Sequence, residues 1–484
     1  MTMDLRKFHR IQTRRSFLDQ CAGGLGTIAL WHLMEGEGRT AGAEVSLPEI
    51  NPLKPKATHL SPKAKNVIFL FMEGAPSQLD LFDPKPGLVK HDGQSLPASM
   101  TKDLKLAFIK PDAKVWASPR VFSKHGQCGM EFSDYLPHTA ECADDICMIR
   151  SMVTDQFNHH PGQLMMTSGT SLLGRPSLGA WVTYGLGSES KNLPGFVALT
   201  SGGGSPGAGS GNWSSGFLPS VYQGVPFRNS GDPVLHLSNL PGIDAEDQRL
   251  TLDAIRDLNQ QSFVRAGDIE IASRIASYEL AFRMQSAGPE LLDFSQETPA
   301  TLEMYGINNE TTRPFATNCL LARRMIERGV RFIQIMHPTW DDHSDLNKKL
   351  KKNCDITDRP TAALLKDLKQ RGLLDSTLII WGSEFGRTPL IQTLGIAGES
   401  WGRDHHPNAF TMWMAGGGIK PGQVVGKTDD LGFNVVEDRV HVHDLHATIL
   451  HCLGLEHTRL TYRHMGRDFR LTDVEGQVVN KLLA

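Results

Sequence analysis

Two short runs of the sequence place carboxylates and imidazoles side by side. One is TWDDHSDL and the other, further along the chain, is GRDHHPNAF. Between them they contain Asp341, Asp342, His343, Asp404, His405 and His406. Carboxylate oxygens and neutral imidazole nitrogens together suit zinc, manganese or iron, which accept mixed nitrogen and oxygen ligands. We therefore expect the two runs to form the halves of one site for a single divalent metal ion, zinc or manganese.

The core of this site is expected to be Asp341, His343 and one of His405 and His406. Adjacent residues of an extended segment point in opposite directions, so only one histidine of the pair can face the metal. The ring of Pro407 restricts the residue before it to extended conformations, which favours His406. The alternative is that these histidines are structural residues held by hydrogen bonds.

Two further carboxylates directly follow apolar runs that are typical of buried strands. Glu73 comes after NVIFLFM, and Glu384 comes after TLIIWGS. An unpaired carboxylate is costly to bury, so each of these residues needs a cation nearby. We expect Glu73 and Glu384 to be further metal ligands. The alternative partner is an arginine such as Arg387.

A third stretch, NHHPG, begins an apparent helix and contains Asn158, His159 and His160. Free backbone N–H groups and the positive end of the helix dipole suit an anionic group of a substrate at such a place. We expect His159 or His160 to be the general base or to bind the leaving-group oxygen. Arg387 is expected to clamp the anion through two parallel hydrogen bonds, with a salt bridge as its alternative role.

The elements that must position these residues alternate between strands and helices. Continuous apolar runs predict six strands: 66–71, 147–153, 195–200, 330–336, 377–382 and 410–416. Apolar residues at three- and four-residue spacing predict helices over 177–186, 316–329 and 358–373. This alternation predicts an α/β fold, with a mainly parallel sheet and helices on both of its faces. In such sheets ligands collect at the carboxyl ends of the strands, where three of the polar clusters fall.

The amino terminus has the three parts of a twin-arginine export signal in the right order. Arg14 and Arg15 precede a weakly apolar, glycine-rich stretch, and AGA at 41–43 offers a cleavage site. We expect 1–43 to be a Tat signal peptide, read by the Tat translocase, and the mature protein to reach the periplasm or cell envelope. Residues 44–64 are predicted to be a linker and 65–475 one α/β domain, with a helical insertion at about 244–312.

Composition excludes several classes of protein. The charged fraction is 21%, the hydrophobic fraction is 40% and the net charge is −3, as in a globular protein without a basic field for nucleic acid. The sequence has no apolar run of membrane-spanning length, so we expect no transmembrane segment in the mature chain.

Five motifs in order resemble an exported bacterial family, domain of unknown function 1501. They are NVIFLFMEGAPSQLDLFDPKP, NHHPGQLMMTSG, WDDHSDL, GSEFGRTP and DHHPNAFTMWMAGGGIKPG, and they cover most of residues 64–470. That family is in turn distantly similar to the alkaline phosphatase superfamily, which includes the sulfatases. The resemblance implies an alkaline-phosphatase-like fold and metal-dependent hydrolysis of phosphate or sulfate esters.

The resemblance also implies roles for individual residues. Glu73 and Glu384 fall where the superfamily has acidic ligands, Asp341 and His343 fall near its Asp and His ligands of one metal, and His405 or His406 matches a late His ligand. Asn158, His159 and His160 fall where the superfamily has its nucleophile, yet none of them is a hydroxyl or a thiol. Phe385 replaces a histidine ligand of the second metal. The departures therefore imply one metal ion and attack by water.

We conclude from the sequence that the chain is an exported, metal-dependent hydrolase of an anionic ester, either a small molecule or a polysaccharide. The alternative is a non-catalytic envelope or polysaccharide-binding protein on a degenerate fold of the same kind. The carboxylates and histidines favour the enzyme, whereas Phe385 and the missing nucleophile favour the binding protein.

Overall fold

A computed structural model describes residues 51–97, 106–110, 112–201, 207–229, 231–235, 237–239, 241–393 and 400–484. The chain divides into two compact units. The described part of the smaller unit is Asn51, Asn239 and 241–254, and the larger unit comprises the described residues of 52–238 and 255–484. The larger unit contains the sheet and every candidate site residue.

Seventeen strands lie in the described residues: β1 Asn66–Met72, β2 Phe122–His125, β3 Met130–Ser133, β4 Ile146–Val153, β5 Phe196–Thr200, β6 Val225–Phe227, β7 Phe332–His337, β8 Thr377–Gly382, β9 Gly386–Gln392, β10 Gly402–His406, β11 Phe410–Ala415, β12 Gln423–Val425, β13 Lys427–Thr428, β14 Val435–Glu437, β15 Val440–His441, β16 Tyr462–His464 and β17 Arg467–Phe469. Eleven α-helices lie in the same residues: α1 Gln78–Leu81, α2 Pro86–Val89, α3 Pro137–Ala140, α4 His159–Ser168, α5 Leu178–Leu186, α6 Ala245–Ala266, α7 Ile269–Leu292, α8 Pro299–Tyr305, α9 Arg313–Glu327, α10 Leu346–Gln370 and α11 Val442–Cys452.

The central sheet has nine strands and is mainly parallel. Its order is β12-β4-β11-β8-β1-β7-β5-β6, and β15 pairs with β4 beside this path. β11 runs antiparallel to both of its neighbours, β4 and β8, and the other pairs are parallel. The predicted parallel sheet is therefore confirmed, and within it β1 lies between β7 and β8.

Helices cover both faces of the sheet, as the sequence predicts. Alternate side chains of β1 belong to different cores because successive residues of a strand point to opposite faces. Ile68 and Leu70 pack in a core that contains residues of α9 and α10. Phe69 and Phe71 pack in the opposite core, which contains residues of α4, α5 and α11. All seven residues of β1 are buried, which explains why the strand reads as one continuous apolar run.

All six predicted strands are present, and the three predicted helices correspond to α5, α9 and α10. Helix α10 begins at Leu346, well before the predicted start at 358, because Leu346 and Leu350 continue its buried stripe. Pro360 lies inside this helix and does not end it. The region predicted to be a helical insertion contains α6, α7 and α8.

The predicted signal peptide, 1–43, lies outside the described residues. Residues 51–64, the described part of the predicted linker, contain no helix or strand. Residues 52–64 belong to the larger unit, within which the backbone N–H of Lys56 donates to the Leu186 carbonyl at 2.9 Å and that of Lys63 to the Cys452 carbonyl at 2.8 Å. None of the described helices is long and apolar enough to cross a membrane.

A hairpin of β9 and β10 lies beside the carboxyl edge of the central sheet, and the sequence did not predict it. Its two strands pair antiparallel, with a register shift between Arg403 and His405. After this shift His405 lies opposite Arg387, and His406 lies opposite Gly386. Residues directly opposite each other in such a pair project on the same side. The hairpin register therefore decides which histidine shares a face with Arg387.

Candidate metal centre

Four side chains converge at the carboxyl edge of the sheet. His159 begins α4, Asp341 and His343 lie on the loop after β7, and His405 lies on β10. Each offers one ligand atom, and these four atoms all lie within 4.8 Å of one another. The ligand types, three imidazoles and one carboxylate, are those that first-row divalent metals accept.

The centre of the group is one oxygen of Asp341. Its Oδ1 lies 2.8 Å from Nε2 of His343, 3.1 Å from Nε2 of His159 and 3.3 Å from Nε2 of His405. The Asp341 side chain keeps 40% of its surface exposed, whereas that of His405 keeps 2%. The group is therefore open to solvent on the side of Asp341, as a catalytic metal site requires for its substrate.

Each of the three imidazoles is held through its other ring nitrogen. Nδ1 of His159 donates to Oε1 of Glu384 at 2.7 Å, and Nδ1 of His343 pairs with Oε1 of Gln392 at 2.5 Å. Nδ1 of His405 donates to the backbone carbonyl of Phe157 at 2.6 Å. A proton on Nδ1 places the lone pair of a neutral imidazole on Nε2, which faces Asp341 in all three rings; at His159 the lone pair becomes available once the second proton has left. Such outer partners are the usual way in which proteins fix and orient histidine ligands.

The donor set fits a cation better than it fits a hydrogen-bond network. Burial lowers the pKa of His405 to about 4, so this ring is neutral and its Nε2 is an acceptor that faces the carboxylate oxygen of Asp341. Nε2 of His159 is buried and has no aligned hydrogen-bond partner among the described residues, although Asp341 is near. Two acceptors that face each other repel, and a divalent ion between them would turn this repulsion into coordination.

Proton and metal compete at His159. Burial opposes the charged form of this ring, but hydrogen bonding and charge from Asp341 and Glu384 outweigh burial and raise its pKa to about 9. Burial likewise opposes the charged form of Asp341, yet the three histidines and Arg387 hold its pKa far below the usual value. Without metal the ring of His159 is therefore an imidazolium between two carboxylates at neutral pH.

Two glycines let the loops of the site approach closely. Gly74 has φ +111°, and a Cβ there would lie 2.5 Å from the backbone nitrogen of Asp341. A Cβ on Gly402 would lie 2.1 Å from the backbone carbon of His343. Neither position has room for a side chain. The loop after β7 can therefore pack against the turn after β1 and against β10 only because residues 74 and 402 are glycines.

Glu384 and Glu73 lie behind the four-residue group and are not part of it. Both oxygens of Glu384 are occupied: Oε1 accepts from His159 and from the backbone of Gly74, and Oε2 accepts from the Ser383 hydroxyl at 2.6 Å. Glu384 was predicted to be a metal ligand, but it lies outside the four-residue group and instead orients the imidazole of His159. Oε1 of Glu73 accepts from Nε2 of Gln163 at 2.8 Å and from the backbone of Gly207 at 2.6 Å, whereas its buried Oε2 has no partner among the described residues.

The predicted role of Arg387 as a substrate clamp is corrected by its surroundings. Its side chain is fully buried, and Nη2 contacts Oδ1 of Asp341 at 2.6 Å. Its remaining donors go to backbone carbonyls: Nε to Ala75 at 2.9 Å, Nη1 to Arg403 at 2.9 Å and Nη2 also to Gly74 at 2.5 Å. These bonds use four of the five N–H groups of a side chain that is closed to solvent, so Arg387 positions Asp341 and the turn after β1. The salt bridge is its observed role, with Asp341 as partner.

Three members of the two acidic runs face elsewhere. Nε2 of His406 pairs with the Phe433 carbonyl at 2.5 Å, so the preference for His406 is corrected in favour of His405. Pro407 restricts the backbone of His406 but does not choose its face, which the pairing of β10 with β9 decides. Oδ2 of Asp404 accepts from the backbone of Ala107 and Phe108, both at 2.9 Å. Asp342 is buried, and burial raises its pKa to about 7.

The residues predicted at the start of α4 separate into different roles. His159 joins the four-residue group, with its Nε2 3.1 Å from Oδ1 of Asp341. Asn158 is the N-cap residue of α4, is exposed, and makes no capping hydrogen bond with its side chain. His160 is exposed, and its ring lies beside Gly207, next to the backbone that holds Glu73.

Three residues of the site were missed by the sequence analysis. Gln392 and the Phe157 carbonyl hold ligand imidazoles, and the ring of Phe108 lies 5.3 Å from the rings of both His343 and His405. A predicted β9–β10 hairpin would have placed Gln392 opposite Gly402 and so near the site. A backbone carbonyl such as that of Phe157 leaves no signal in a sequence.

Solved structures similar to this chain include phosphatases and sulfatases at low identity. An alkaline phosphatase from the Antarctic bacterium TAB5 is 14% identical with a TM-score of 0.30, and the match covers 73% of this chain and 92% of that one. A sulfatase from Pseudoalteromonas sp. is 13% identical with a TM-score of 0.35, covering 81% of this chain and 68% of that one. A protein of the alkaline phosphatase superfamily from Vibrio parahaemolyticus is 11% identical with a TM-score of 0.31, covering 87% and 74%.

No curated protein is significantly similar to the sequence. The family described as "Protein of unknown function (DUF1501)" matches residues 64–483. This match spans the whole central sheet and all four residues of the metal centre, and it confirms the resemblance that the five motifs indicate. The chain therefore belongs to the DUF1501 family.

Proposed function

We propose that this protein is a metal-dependent hydrolase of a phosphate or sulfate ester. The observation that carries the proposal is the group of His159, Asp341, His343 and His405, with three imidazoles oriented through Nδ1 and one face open to solvent. A divalent ion bound there would polarise an ester oxygen and lower the pKa of a water molecule toward about 7.

Residues around the group would orient its imidazoles, position Asp341 and transfer protons. Glu384 and Gln392 keep two of the imidazoles in the tautomer that exposes Nε2. Arg387 holds Asp341 in place through its buried guanidinium. His160, exposed on the first turn of α4, is the candidate for proton transfer to the leaving group or from water.

One metal ion is favoured over two. Phe385 carries no ligand atom, and its ring packs 4.7 Å from that of His405 and 5.0 Å from that of His159. Both oxygens of Glu384 already accept hydrogen bonds. A second ion would have to rely on Glu73, whose Oε1 is also taken.

An anionic ester is favoured by the start of α4. Asn158 and His160 are exposed beside the ligand His159, where free N–H groups of the first helical turn suit a phosphate or sulfate group. The distant similarity of the DUF1501 family to the alkaline phosphatase superfamily supports the same choice. Export through the Tat pathway, with the mature protein in the periplasm or cell envelope, is part of the proposal and rests on the sequence of residues 1–43.

The first test measures metal per chain in the purified protein and in single-residue variants. We expect about one zinc or manganese ion per wild-type chain, and loss of most of it in His343→Ala and His405→Ala. His160→Ala is the matched control, since it removes an imidazole next to a ligand but outside the group. Retention of metal by both ligand variants would refute the site.

Activity is then measured on p-nitrophenyl phosphate and p-nitrophenyl sulfate. We expect hydrolysis that a chelator abolishes and that the added metal restores. A protein that binds its metal but hydrolyses no ester of a wide panel would be the non-catalytic binding protein instead.

A further inference from the structure

A polar cavity lies next to the metal centre. It has a volume of about 430 Å³ and is lined by Val153, Thr154, Asp155, Phe157, Pro407, Asn408, Asn434, Val435 and Arg439. Its size falls in the range of small-molecule sites, roughly 300–1,000 Å³.

The cavity and the metal centre share a wall. The Phe157 carbonyl accepts from Nδ1 of the ligand His405 at 2.6 Å, and the Phe157 side chain, 36% exposed, lines the cavity. The backbone N–H of Thr154 donates to the Pro407 carbonyl at 3.0 Å, which joins the segment after β4 to the segment after β10. Only Asn158 separates Phe157 from the ligand His159. Phe157 therefore contacts both the four-residue group, through its carbonyl, and the cavity, through its ring.

The lining is polar but carries no net charge. Thr154, Asn408 and Asn434 offer hydroxyl and amide groups, and the two charged residues, Asp155 and Arg439, have opposite signs. Asp429 accepts from Nδ2 of Asn434 at 3.1 Å, which leaves the carbonyl oxygen of Asn434 as an acceptor. Such a lining suits an uncharged group with many hydroxyls better than a second anion or an alkyl chain. The exposed ring of Phe157 adds an apolar face against which the C–H face of a sugar ring can pack.

From this arrangement we infer that the cavity is a carbohydrate subsite and that the ester cleaved at the metal centre is carried by a sugar. The inference rests on the proposed function and narrows its substrate class. The sugar ring occupies the cavity against Phe157, with Asn408, Asn434, Asp155 and Arg439 around its hydroxyls. The phosphate or sulfate group extends from this ring to the open side of Asp341.

The test of the subsite uses neutral sugars, so that it is separate from catalysis. Methyl glucoside, methyl galactoside and methyl mannoside are titrated by saturation-transfer NMR. We expect at least one of them to bind, and the double variant N408A/R439A to weaken this binding about tenfold, as loss of two hydrogen bonds implies. The matched control N308A/R228A removes an exposed asparagine and an exposed arginine outside the lining and should leave binding unchanged.

A second arm compares the hydrolysis of glucose 6-phosphate and glucose 6-sulfate with that of the p-nitrophenyl esters. We expect N408A/R439A to raise KM for the glucose esters about tenfold and to leave kcat/KM for the p-nitrophenyl esters unchanged.

The subsite is overturned if no methyl glycoside binds, or if N408A/R439A binds sugar as tightly as the wild type. Sugar binding that depends on the lining, without hydrolysis of any ester, would sustain the subsite and refute the hydrolase. Hydrolysis of p-nitrophenyl esters without sugar binding would refute the subsite and sustain the hydrolase.

Discussion

One carboxylate oxygen, Oδ1 of Asp341, has three imidazole nitrogens and one guanidinium nitrogen within 3.3 Å. Two imidazoles beside this oxygen differ in protonation at neutral pH: His159 is protonated and His405 is neutral. His159 keeps its proton because two carboxylates attract it, and burial keeps His405 neutral. A metal ion must displace the proton of His159 before Nε2 can coordinate, so metal affinity is linked to pH at this one ring.

We therefore predict that metal affinity increases with pH. The pKa of His159 in the metal-free protein is about 9, so the apparent Kd for zinc should fall about tenfold per pH unit between pH 6 and 8. Calorimetry in buffers of different ionisation enthalpy should detect about one proton released per ion near pH 7. The stability of the metal-free fold should change with pH in the opposite direction. Because folding raises the pKa of His159, its protonation stabilises the fold fully below pH ~6.5, and this stabilisation is lost as pH rises through about 9.

The matched variant for this prediction is Glu384→Gln, which keeps an oxygen acceptor for Nδ1 of His159 and removes the charge. Proton release near neutral pH should be smaller in this variant, because the pKa of His159 falls toward its ordinary value. Equal proton release in both proteins would assign the proton to another group.

At the scale of elements, the site depends on how closely three loops can meet. The turn after β1 touches the loop after β7 at Gly74, and β10 touches that loop at Gly402. The backbone N–H of Gly74 also donates to Glu384, and its carbonyl accepts from Arg387. A small displacement of the β1 turn would therefore move Asp341, Glu384 and Arg387 together.

We predict that Gly74→Ala destabilises the fold and removes the metal. Its Cβ would overlap the backbone of Trp340 and Asp341, and its φ of +111° is unfavourable for alanine. Gly93→Ala is the matched control, since Gly93 also has a positive φ, +71°, but nothing lies within 4 Å of an added Cβ. Urea denaturation should show Gly74→Ala to be less stable than Gly93→Ala by about 1–3 kcal/mol, which is the cost of the overlap. Equal losses of stability, with metal retained in both, would contradict this account of the loop.

At the scale of the whole molecule, the four-residue group joins parts of the chain that lie far apart in sequence. His159, Asp341, His343 and His405 come from α4, from the loop after β7 and from β10. An ion that binds this folded arrangement and not the unfolded chain stabilises the fold. The carboxylate of Asp341 and the neutral ring of His405 would also be left facing each other when the ion is removed.

We predict that metal removal lowers the thermal stability of the wild-type protein. At a free metal concentration of 100 times Kd the ion should contribute about 2.7 kcal/mol to the free energy of unfolding. Differential scanning calorimetry with and without EDTA should show a lower Tm in the chelator, and this difference should disappear in His343→Ala. An unchanged wild-type Tm, together with metal absent from the purified protein, would make the four-residue group a structural one.

The sheet could be predicted from the sequence because its strands are buried on both faces. NVIFLF, VRFIQIM and TLIIWG each read as one apolar run, and the structure places them side by side as β1, β7 and β8. Asp341, His343 and the pair His405–His406 were found by residue type. The choice within the pair depends on the register of β10 against β9, which is a long-range property with no local pattern.

The roles of the supporting residues were harder to predict, because they depend on what each side chain meets. Arg387 was expected to face the substrate, yet the approach of the β1 turn surrounds it with carbonyls. Asp404 lies directly before His405 in the sequence, yet its carboxylate accepts backbone N–H groups of 107–109. Gln392 carried no signal until the hairpin was known.

The contact between Arg387 and Asp341 bears on how strongly the centre can act as a Lewis acid. The guanidinium lies 2.6 Å from the same oxygen that the three imidazoles approach. It withdraws electron density from the carboxylate, so Asp341 donates less charge to a bound cation than a carboxylate with a free oxygen would. A cation held by three neutral imidazoles and this partly neutralised carboxylate keeps more of its own positive charge, and it therefore pulls harder on the electrons of any oxygen that enters from the open side.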